Sequence, residues 1–309
     1  MSSSEMEDEL ILTPPCLSSS SEESESENEV IENYDTLVLS GGATKGLLLL
    51  GAVQCAIDNG LLENVNTYLG TSIGAITCYL LAIGYTPIEI MVFICVNRIV
   101  EKMQSFNLIA IINNEGVSSY RDIQETLEKA TIDKIGKFLT LKELHDTYGK
   151  KLICVTYNES TNLTEYVSVD NNPDLPCFIA LRMSSNVPFL FNRFKYDGSY
   201  YIDGGIVDNF PIVKGDNIGK KVLGIYLQKP LQTYSHPDKL GPLEYIFKLL
   251  YIPIKQSTNF RCSLVSDKCT IVSIMDTDMK MFNFNIPSRT KLEMFSDGYQ
   301  SFKKKIIGE

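Results

Sequence analysis

The residues best suited to chemistry lie in a short stretch of the chain, Tyr68 to Ile76. This stretch contains Gly70-Thr71-Ser72-Ile73-Gly74, with apolar residues before it and a long apolar run after it. The order predicts a strand, a sharp turn and a helix, with Ser72 at the apex of the turn. A serine held clear of a sheet at the start of a helix is typical of a nucleophile. Gly-x-Ser-x-Gly also occurs by chance, so the assignment depends on what accompanies it.

A glycine-rich turn precedes this serine in the chain. The apolar residues Thr36–Leu39 predict a buried strand, and Ser40-Gly41-Gly42-Ala43-Thr44-Lys45-Gly46 leads into a helical pattern over 47–59. The turn is not a Walker A loop, because Leu47 stands where that motif needs lysine, and Ala43 breaks the dinucleotide-binding fingerprint. The turn therefore offers backbone N–H groups at a helix start, which suit an oxyanion.

An aspartate follows a predicted hairpin later in the chain. Asp197-Gly198 is a hairpin turn signal, and the second strand leads into Tyr201-Ile202-Asp203-Gly204-Gly205. In this position Asp203 can point into a cleft and act as a base. The alternative interpretation is an aspartate that only caps its own turn by bonding the backbone.

These three features, in this order, resemble the patatin-like phospholipases, including those of bacteria and large DNA viruses. The resemblance covers roughly residues 35–227 and includes Met183-Ser184-Ser185, Val187-Pro188-Phe189 and Asp208-Asn209-Phe210-Pro211. It implies a three-layer α/β/α domain with a mostly parallel central sheet. It also implies a serine esterase that hydrolyses fatty-acyl esters of phospholipids or lysophospholipids with a Ser–Asp dyad and without a metal or cofactor.

The resemblance assigns a role to each matching position. Ser72 would be the nucleophile and Asp203 the general base. The N–H groups of Gly41, Gly42 and Ala43 would form the oxyanion hole. The loop and the serine turn would be supported by Lys45, Gly46, Gly70, Gly74, Gly204 and Gly205. Ala43 departs from the family, which usually has a third glycine there; alanine keeps the N–H but requires a backbone that accepts a Cβ.

Two other interpretations of the site remain open. A conventional Ser…Asp…His order is available through His236, although that histidine lies in a polar stretch with no strand to deliver it. His145 lies in a charged segment, which predicts a surface residue. A protein of a different class, a catalytically silent module that binds lipid or a protein partner, would use the same cleft without chemistry.

The charge of the chain is confined to its first part. The chain of 309 residues has a formal net charge of -10, and ten of its acidic residues, but no Lys or Arg, lie within residues 1–33. The rest is formally neutral, with 28 acidic and 28 basic residues, so a nucleic-acid partner is not expected. The Ser/Glu-rich composition of 1–33 predicts disorder. Phosphorylation of the Ser18–Glu27 tract is a hypothesis.

The remaining organisation follows from composition. We expect a catalytic domain over 34–229 and a helical C-terminal extension over 230–309 packed on the same domain. The eight cysteines show no Cys-x-x-Cys spacing, which predicts free thiols and no zinc site. The acidic start is unlike a signal peptide, and Gly84 and Pro87 divide the apolar run 72–96 into two helices. An intracellular protein that contacts membranes peripherally is therefore expected, with its oligomeric state undetermined.

Overall fold

The computed structural model describes residues 33–97, 118–228, 242–275 and 286–308. Contacts group Glu32–Glu309 into one compact unit. The acidic tract 1–32 and His236 lie outside the described residues, so the expectations for disorder, for phosphorylation and for a histidine triad stay predictions.

The described strands form one sheet of eight, in the order β5-β6-β3-β2-β1-β7-β8 with β4 on β3. The strands are β1 (Thr36–Leu39), β2 (Thr67–Thr71), β3 (Lys151–Asn158), β4 (Leu163–Ser168), β5 (Phe194–Tyr196), β6 (Ser199–Asp203), β7 (Val222–Gln228) and β8 (Cys269–Met275). Strands β3, β2, β1, β7 and β8 run parallel, whereas β4, β5 and β6 pair antiparallel. The expected mostly parallel sheet is confirmed.

The helices connect and cover these strands. They are α1 (Gly46–Asp58), α2 (Ile73–Ala82), α3 (Pro87–Asn97), α4 (Arg121–Ile135), α5 (Leu141–Tyr148), α6 (Cys177–Ser184), α7 (Gly205–Asp208), α8 (Ile212–Ile218), α9 (Pro242–Cys262) and α10 (Ser288–Ile306). A single turn of 3-10 helix, Ala43–Lys45, precedes α1.

Apolar side chains that point alternately to the two faces of the sheet form a core on each side of it. In β1, Leu37 and Leu39 pack into the larger core cluster with α1, α2 and α10, whereas Val38 packs into the smaller cluster with Phe210 and Ile212. Successive strand residues point to opposite faces, and a strand that is apolar on both faces needs cover on both. The three-layer α/β/α arrangement follows.

The C-terminal region adds a strand as well as helices. Strand β8 pairs parallel with β7, and the helical extension expected from the sequence did not include it. Only Val272 and Ile274 of this strand are fully buried, so its apolar pattern is weak. Helix α10 packs closely on α1, where Gly51 lies against the carbonyl of Phe295 and Gly298 against the carbonyl of Leu48.

The apolar stretch after Ser72 forms two helices, as expected. Helices α2 and α3 meet at an angle of 117°, and Gly84 between them has a φ of 94°. Among the described residues, no single helix combines the length and the apolar composition needed to cross a membrane.

Candidate active site

Strand β3 brings the predicted serine and aspartate together. Its residue Val155 pairs with Thr71, the last residue of β2, and the next residue, Thr156, pairs with Asp203, the last residue of β6. Strand β4 covers the opposite edge of β3 along this stretch, so β2 and β6 share one edge and meet there end to end. Ser72 and Asp203 therefore converge from opposite directions along the chain.

Ser72 lies in a strained turn between β2 and α2. Its backbone has a φ of 56° and a ψ of -123°, a region that non-glycine residues rarely adopt and that is common at functional sites. A Cβ on Gly70 would lie 2.5 Å from the backbone of Gly74, and one on Gly74 would lie 2.5 Å from the carbonyl oxygen of Leu39. Only glycine fits at these two positions, which explains the Gly-x-Ser-x-Gly pattern physically.

The last residue of α6 and the segment that follows it contact both Ser72 and Asp203. The Ser184 hydroxyl accepts a hydrogen bond from the N–H of Ser72 at 3.1 Å. Two residues later, the Asn186 carbonyl accepts one from the N–H of Asp203 at 3.0 Å. The Ser184 and Asn186 side chains are 0% and 1% exposed. Because these bonds are buried, the segment keeps the spacing between Ser72 and Asp203 constant.

Burial changes the chemistry of Asp203. It raises the pKa of this carboxyl from 3.8 to about 6, whereas the Ser72 hydroxyl and the Gly205 N–H stabilise the ionised form and limit the rise. The Gly205 N–H donates to Oδ1 at 2.6 Å, but Oδ2 accepts no aligned hydrogen bond within the described chain. The hydroxyl is thus close enough to influence the carboxylate without being held by it. A raised pKa makes Asp203 a better match for a proton from serine.

The glycine-rich loop offers fewer free donors than the sequence indicated. The N–H of Gly41 already donates to the carbonyl of Asn209 at 2.9 Å, so Gly41 is not a free oxyanion donor in this structure. No described residue accepts a hydrogen bond from the N–H of Gly42 or Ala43. Ala43 has a φ of 50°, which costs a residue with a Cβ roughly 1–2 kcal/mol. The loop accepts that Cβ, at an energetic cost.

The other predicted support residues lie around these groups. Lys45 is buried in the 3-10 turn, and its N–H donates to the carbonyl of Gly42 at 3.0 Å. A Cβ on Gly46 would lie 2.5 Å from the side chain of Ile73, so α1 begins in contact with α2. A Cβ on Gly204 would lie 2.3 Å from the carbonyl oxygen of Val155. This last contact seats the turn after Asp203 directly on β3.

A large apolar cavity opens beside Ser72 and Ala43. Its empty space is about 1060 Å³ when the open solvent at its mouth is included, and its wall is formed by α1, α2, α3, α4 and the segment after α6. Aliphatic and aromatic side chains such as Leu50, Leu80 and Phe93 form most of the wall. The lining residues in the described part of the chain include hydroxyl groups but no charged side chain. Such a wall suits a hydrocarbon chain.

A buried ion pair supports the turn after Asp203 from the other face of the sheet. The carboxylate of Asp208 accepts hydrogen bonds from the Tyr166 hydroxyl at 2.6 Å and from the Arg261 guanidinium at 3.1 Å. Burial raises the pKa of Asp208, and these two partners limit the rise. The Asp208 carbonyl accepts from the Thr71 hydroxyl at 2.9 Å. Helix α9 is thereby connected to the residue that precedes Ser72.

His145 and the described cysteines lie away from this site. His145 is exposed on α5 beside Asp146. The described cysteines are free, and within the described ranges no group of His, Cys, Asp or Glu side chains could hold a metal ion. Sequence reasoning did not assign roles to Ser184 and Asn209, although both lie in segments quoted for the family resemblance.

Comparisons with known proteins agree with this geometry. A family model described as patatin-like phospholipase matches residues 37–214. The chain is 36% identical over 188 residues to the probable lipid hydrolase 463L of Invertebrate iridescent virus 6, covering 58% of this chain and 62% of that protein. It is 27% identical over 281 residues to protein R571 of Acanthamoeba polyphaga mimivirus, covering 88% and 93% of the two chains.

A solved structure shares the fold. VipD from Legionella pneumophila superposes with a TM-score of 0.55 at 17% sequence identity, covering 88% of this chain and 66% of that one. This chain therefore spans less than two thirds of the length of VipD and of the iridescent virus protein.

Proposed function

Because the chain belongs to the patatin-like phospholipase family, we propose that it hydrolyses fatty-acyl esters of phospholipids or lysophospholipids through Ser72 and Asp203. The observation that supports the proposal is the meeting of β2 and β6 on β3, where Ser72 and Asp203 end neighbouring strands, together with the apolar cavity that Ser72 lines.

The reaction would proceed in two halves. Asp203 takes the proton of the Ser72 hydroxyl while Oγ attacks the ester carbonyl carbon. The N–H groups of Gly42 and Ala43 donate to the resulting oxyanion, and each such donor is worth about 3–4 kcal/mol in known serine hydrolases. Collapse breaks the ester bond, and the departing alcohol takes the proton from Asp203. Water then hydrolyses the acyl-serine, again with Asp203 as base.

The cavity wall supports a fatty acyl chain as the substrate group. Ala43 and Ser72 lie at one part of the wall, and α4 contributes Leu127 and Ala130 to another. Ala130→Phe would fill part of this space, so we expect it to lower turnover of long-chain esters several-fold more than that of butyryl esters. Equal loss for both chain lengths would contradict this use of the cavity.

A peripheral membrane contact is part of the proposal. On α3, Ile88, Val92 and Val96 are 52%, 55% and 73% exposed, whereas Ile90 and Phe93 of the same helix line the cavity. An exposed apolar stripe can enter the interfacial region of a bilayer. A lipid leaving the bilayer beside α3 would reach the cavity with little exposure to water.

The test is fatty-acid release from mixed phospholipid vesicles with EDTA present. We expect release by the wild type, loss in Ser72→Ala and Asp203→Asn, and unchanged release in His236→Ala. Loss in His236→Ala but not in Asp203→Asn would move the protein to the histidine-triad hydrolases. No release from any protein, although it binds the vesicles, would favour the silent binding module. Fatty-acid release by the wild type that occurs without EDTA and stops when EDTA is added would contradict metal independence.

A further inference from the structure

We propose that Phe189 is a membrane anchor, whose ring enters the interfacial region of a phospholipid bilayer beside the acyl cavity. Phe189 lies in the turn 187–191, in the segment that follows α6. The proposal rests on the proposed function, because it names a residue through which the protein would reach a lipid substrate in its bilayer.

The turn that carries Phe189 is held by backbone hydrogen bonds. The N–H of Phe191 donates to the carbonyl of Val187 at 3.0 Å, and the N–H of Ser118 donates to the carbonyl of Leu190 at 2.8 Å. Within this turn Phe189 has a φ of 67°, a conformation for which glycine is the default and a bulky residue a rare exception. The chain therefore keeps a large aromatic side chain where the backbone favours glycine. Strain of this kind is common at functional sites.

The ring of Phe189 reaches the surface, whereas the residues around it pack inside the protein. Val187, Leu190 and Phe191 line the acyl cavity, and Phe189 does not. Phe191 also packs edge-on against Tyr120, with ring centroids 5.1 Å apart. Phe189 is 41% exposed, and in the described part of the chain its ring has no aromatic partner. Packing within the fold therefore does not explain why phenylalanine occupies a strained position.

A second wall of the cavity also carries exposed apolar side chains. Helix α3 lines the cavity and exposes Ile88, Val92 and Val96. Two separate elements around a cavity that suits hydrocarbon thus combine an apolar inner side with apolar groups at the surface. Exposed apolar surface of this kind marks an interaction site. At a cavity for acyl chains, a bilayer is the partner whose chemistry matches both sides.

The charges around Phe189 are compatible with a lipid surface. Residues 183–196 contain no acidic residue, and their two charged side chains are the exposed cations Arg193 and Lys195. Arg193 pairs with Glu159 at 3.2 Å, whereas Lys195 has no acidic partner within the described ranges. Insertion of the ring would therefore draw no carboxylate of its own segment towards the apolar region, and Lys195 could remain at the level of the lipid phosphates.

The absence of tryptophan from the sequence allows a direct measurement. Phe189→Trp is introduced into the full chain carrying Ser72→Ala, which is mixed with phosphatidylcholine vesicles. We expect the tryptophan emission to shift to shorter wavelength and to be quenched by brominated acyl chains, because the ring leaves water for the interface. An emission that stays unshifted and unquenched, with or without vesicle binding, would overturn the proposal.

Ile218→Trp is the matched control. Ile218 is 40% exposed and precedes β7, whereas Ser72 follows β2, and both strands run parallel to β1. Ile218 therefore lies at the opposite end of the sheet from Ser72. Its tryptophan emission should not change with vesicles. The same shift at both positions would mean general adsorption and would also overturn the proposal.

Affinity and stability separate an anchor from a structural residue. Phe189→Asn, whose side chain tolerates a positive φ, should bind the vesicles about tenfold more weakly than the Ser72→Ala parent. Ile218→Asn should change the binding less than about twofold. The urea midpoint of Phe189→Asn should not fall below that of the parent; a lower midpoint would mean that the fold uses the ring. Loss of self-association with unchanged vesicle binding would assign the ring to a contact between copies of this chain.

Turnover separates the anchor from the proposed hydrolysis. With Ser72 intact, Phe189→Asn should lower fatty-acid release from limiting phosphatidylcholine vesicles about tenfold and hydrolysis of a soluble butyryl ester less than about twofold. An equal loss for both substrates would overturn the anchor. Wild-type inactivity on both substrates, with the Phe189→Trp emission still shifted by vesicles, would refute the proposed hydrolysis and leave the anchor standing.

Discussion

Replacing Asp203 by asparagine should make the protein more stable at neutral pH while removing its activity. Burial raises the pKa of this carboxyl from 3.8 to about 6, so the folded protein holds the ionised form unfavourably. For a carboxyl whose pKa is higher in the folded state, the free energy of unfolding falls as pH rises from the unfolded value through the folded value. Asparagine carries no charge, so the free energy of unfolding of Asp203→Asn does not fall with pH for this reason.

The magnitude follows from the shift. With a pKa of 3.8 for the unfolded chain and about 6 for the folded one, titration of Asp203 lowers the free energy of unfolding by about 3 kcal/mol at pH 7.5 and by about 1 kcal/mol at pH 4.5. The stability advantage of Asp203→Asn should therefore grow by about 2 kcal/mol between these pH values. The Gly205 N–H can still donate to the amide oxygen, and any fixed cost of the buried amide N–H₂ cancels in the difference.

The assay is urea unfolding of both proteins at pH 4.5 and pH 7.5. Asp197, exposed in the turn of the same hairpin, provides a matched control, because Asp197→Asn removes the same charge from the surface. If the Asp203→Asn difference is the same at both pH values, or if it matches that of Asp197→Asn, the carboxyl is not strained by burial and the reasoning fails.

Three further expectations concern the elements around the site. Gly74→Ala should prevent stable folding, because its methyl group would lie 2.5 and 2.6 Å from two carbonyl oxygens. The control Gly136→Ala, in open space at a φ of 74°, should lower the free energy of unfolding by only about 1 kcal/mol in thermal unfolding. A similar loss of stability in both variants would contradict the packing argument. Ala43→Gly should raise the free energy of unfolding by about 0.5 kcal/mol, since relief of the left-handed strain exceeds the added backbone entropy; a lower stability would mean that the strain is absent. Arg261→Met should lower it by about 2 kcal/mol at pH 7 by leaving Asp208 ionised and short of a partner; adding Asp208→Asn should recover most of the loss, and no recovery would contradict the ion-pair account.

The local elements of the site could be predicted from the sequence because their signals are local. Glycines bracket the turn at Ser72, and the structure places backbone atoms where their side chains would be. The hairpin turn was readable from Asp197-Gly198, since both residues adopt a positive φ, 44° and 82°. In each case the residue type reports a conformation that few other residues tolerate.

The long-range features could not be predicted because they depend on how the chain folds back. The carbonyl that accepts a hydrogen bond from the Gly41 N–H belongs to Asn209, far away in the chain. The number of free oxyanion donors could therefore not be predicted from the sequence. Arg261 meets Asp208 across 53 positions, and nothing local marks either as a partner. Strand β8 was missed because an edge strand that buries few side chains has a weak apolar pattern.

The most direct test of the Ser72–Asp203 pair is covalent labelling with a serine-directed fluorophosphonate, followed by peptide mass spectrometry. We expect one adduct, on Ser72, that is absent in Ser72→Ala and forms at least about 100-fold more slowly in Asp203→Asn. The rate should rise with pH as Asp203 ionises near pH 6. An adduct on another serine, or a labelling rate unaffected by Asp203→Asn, would contradict the account.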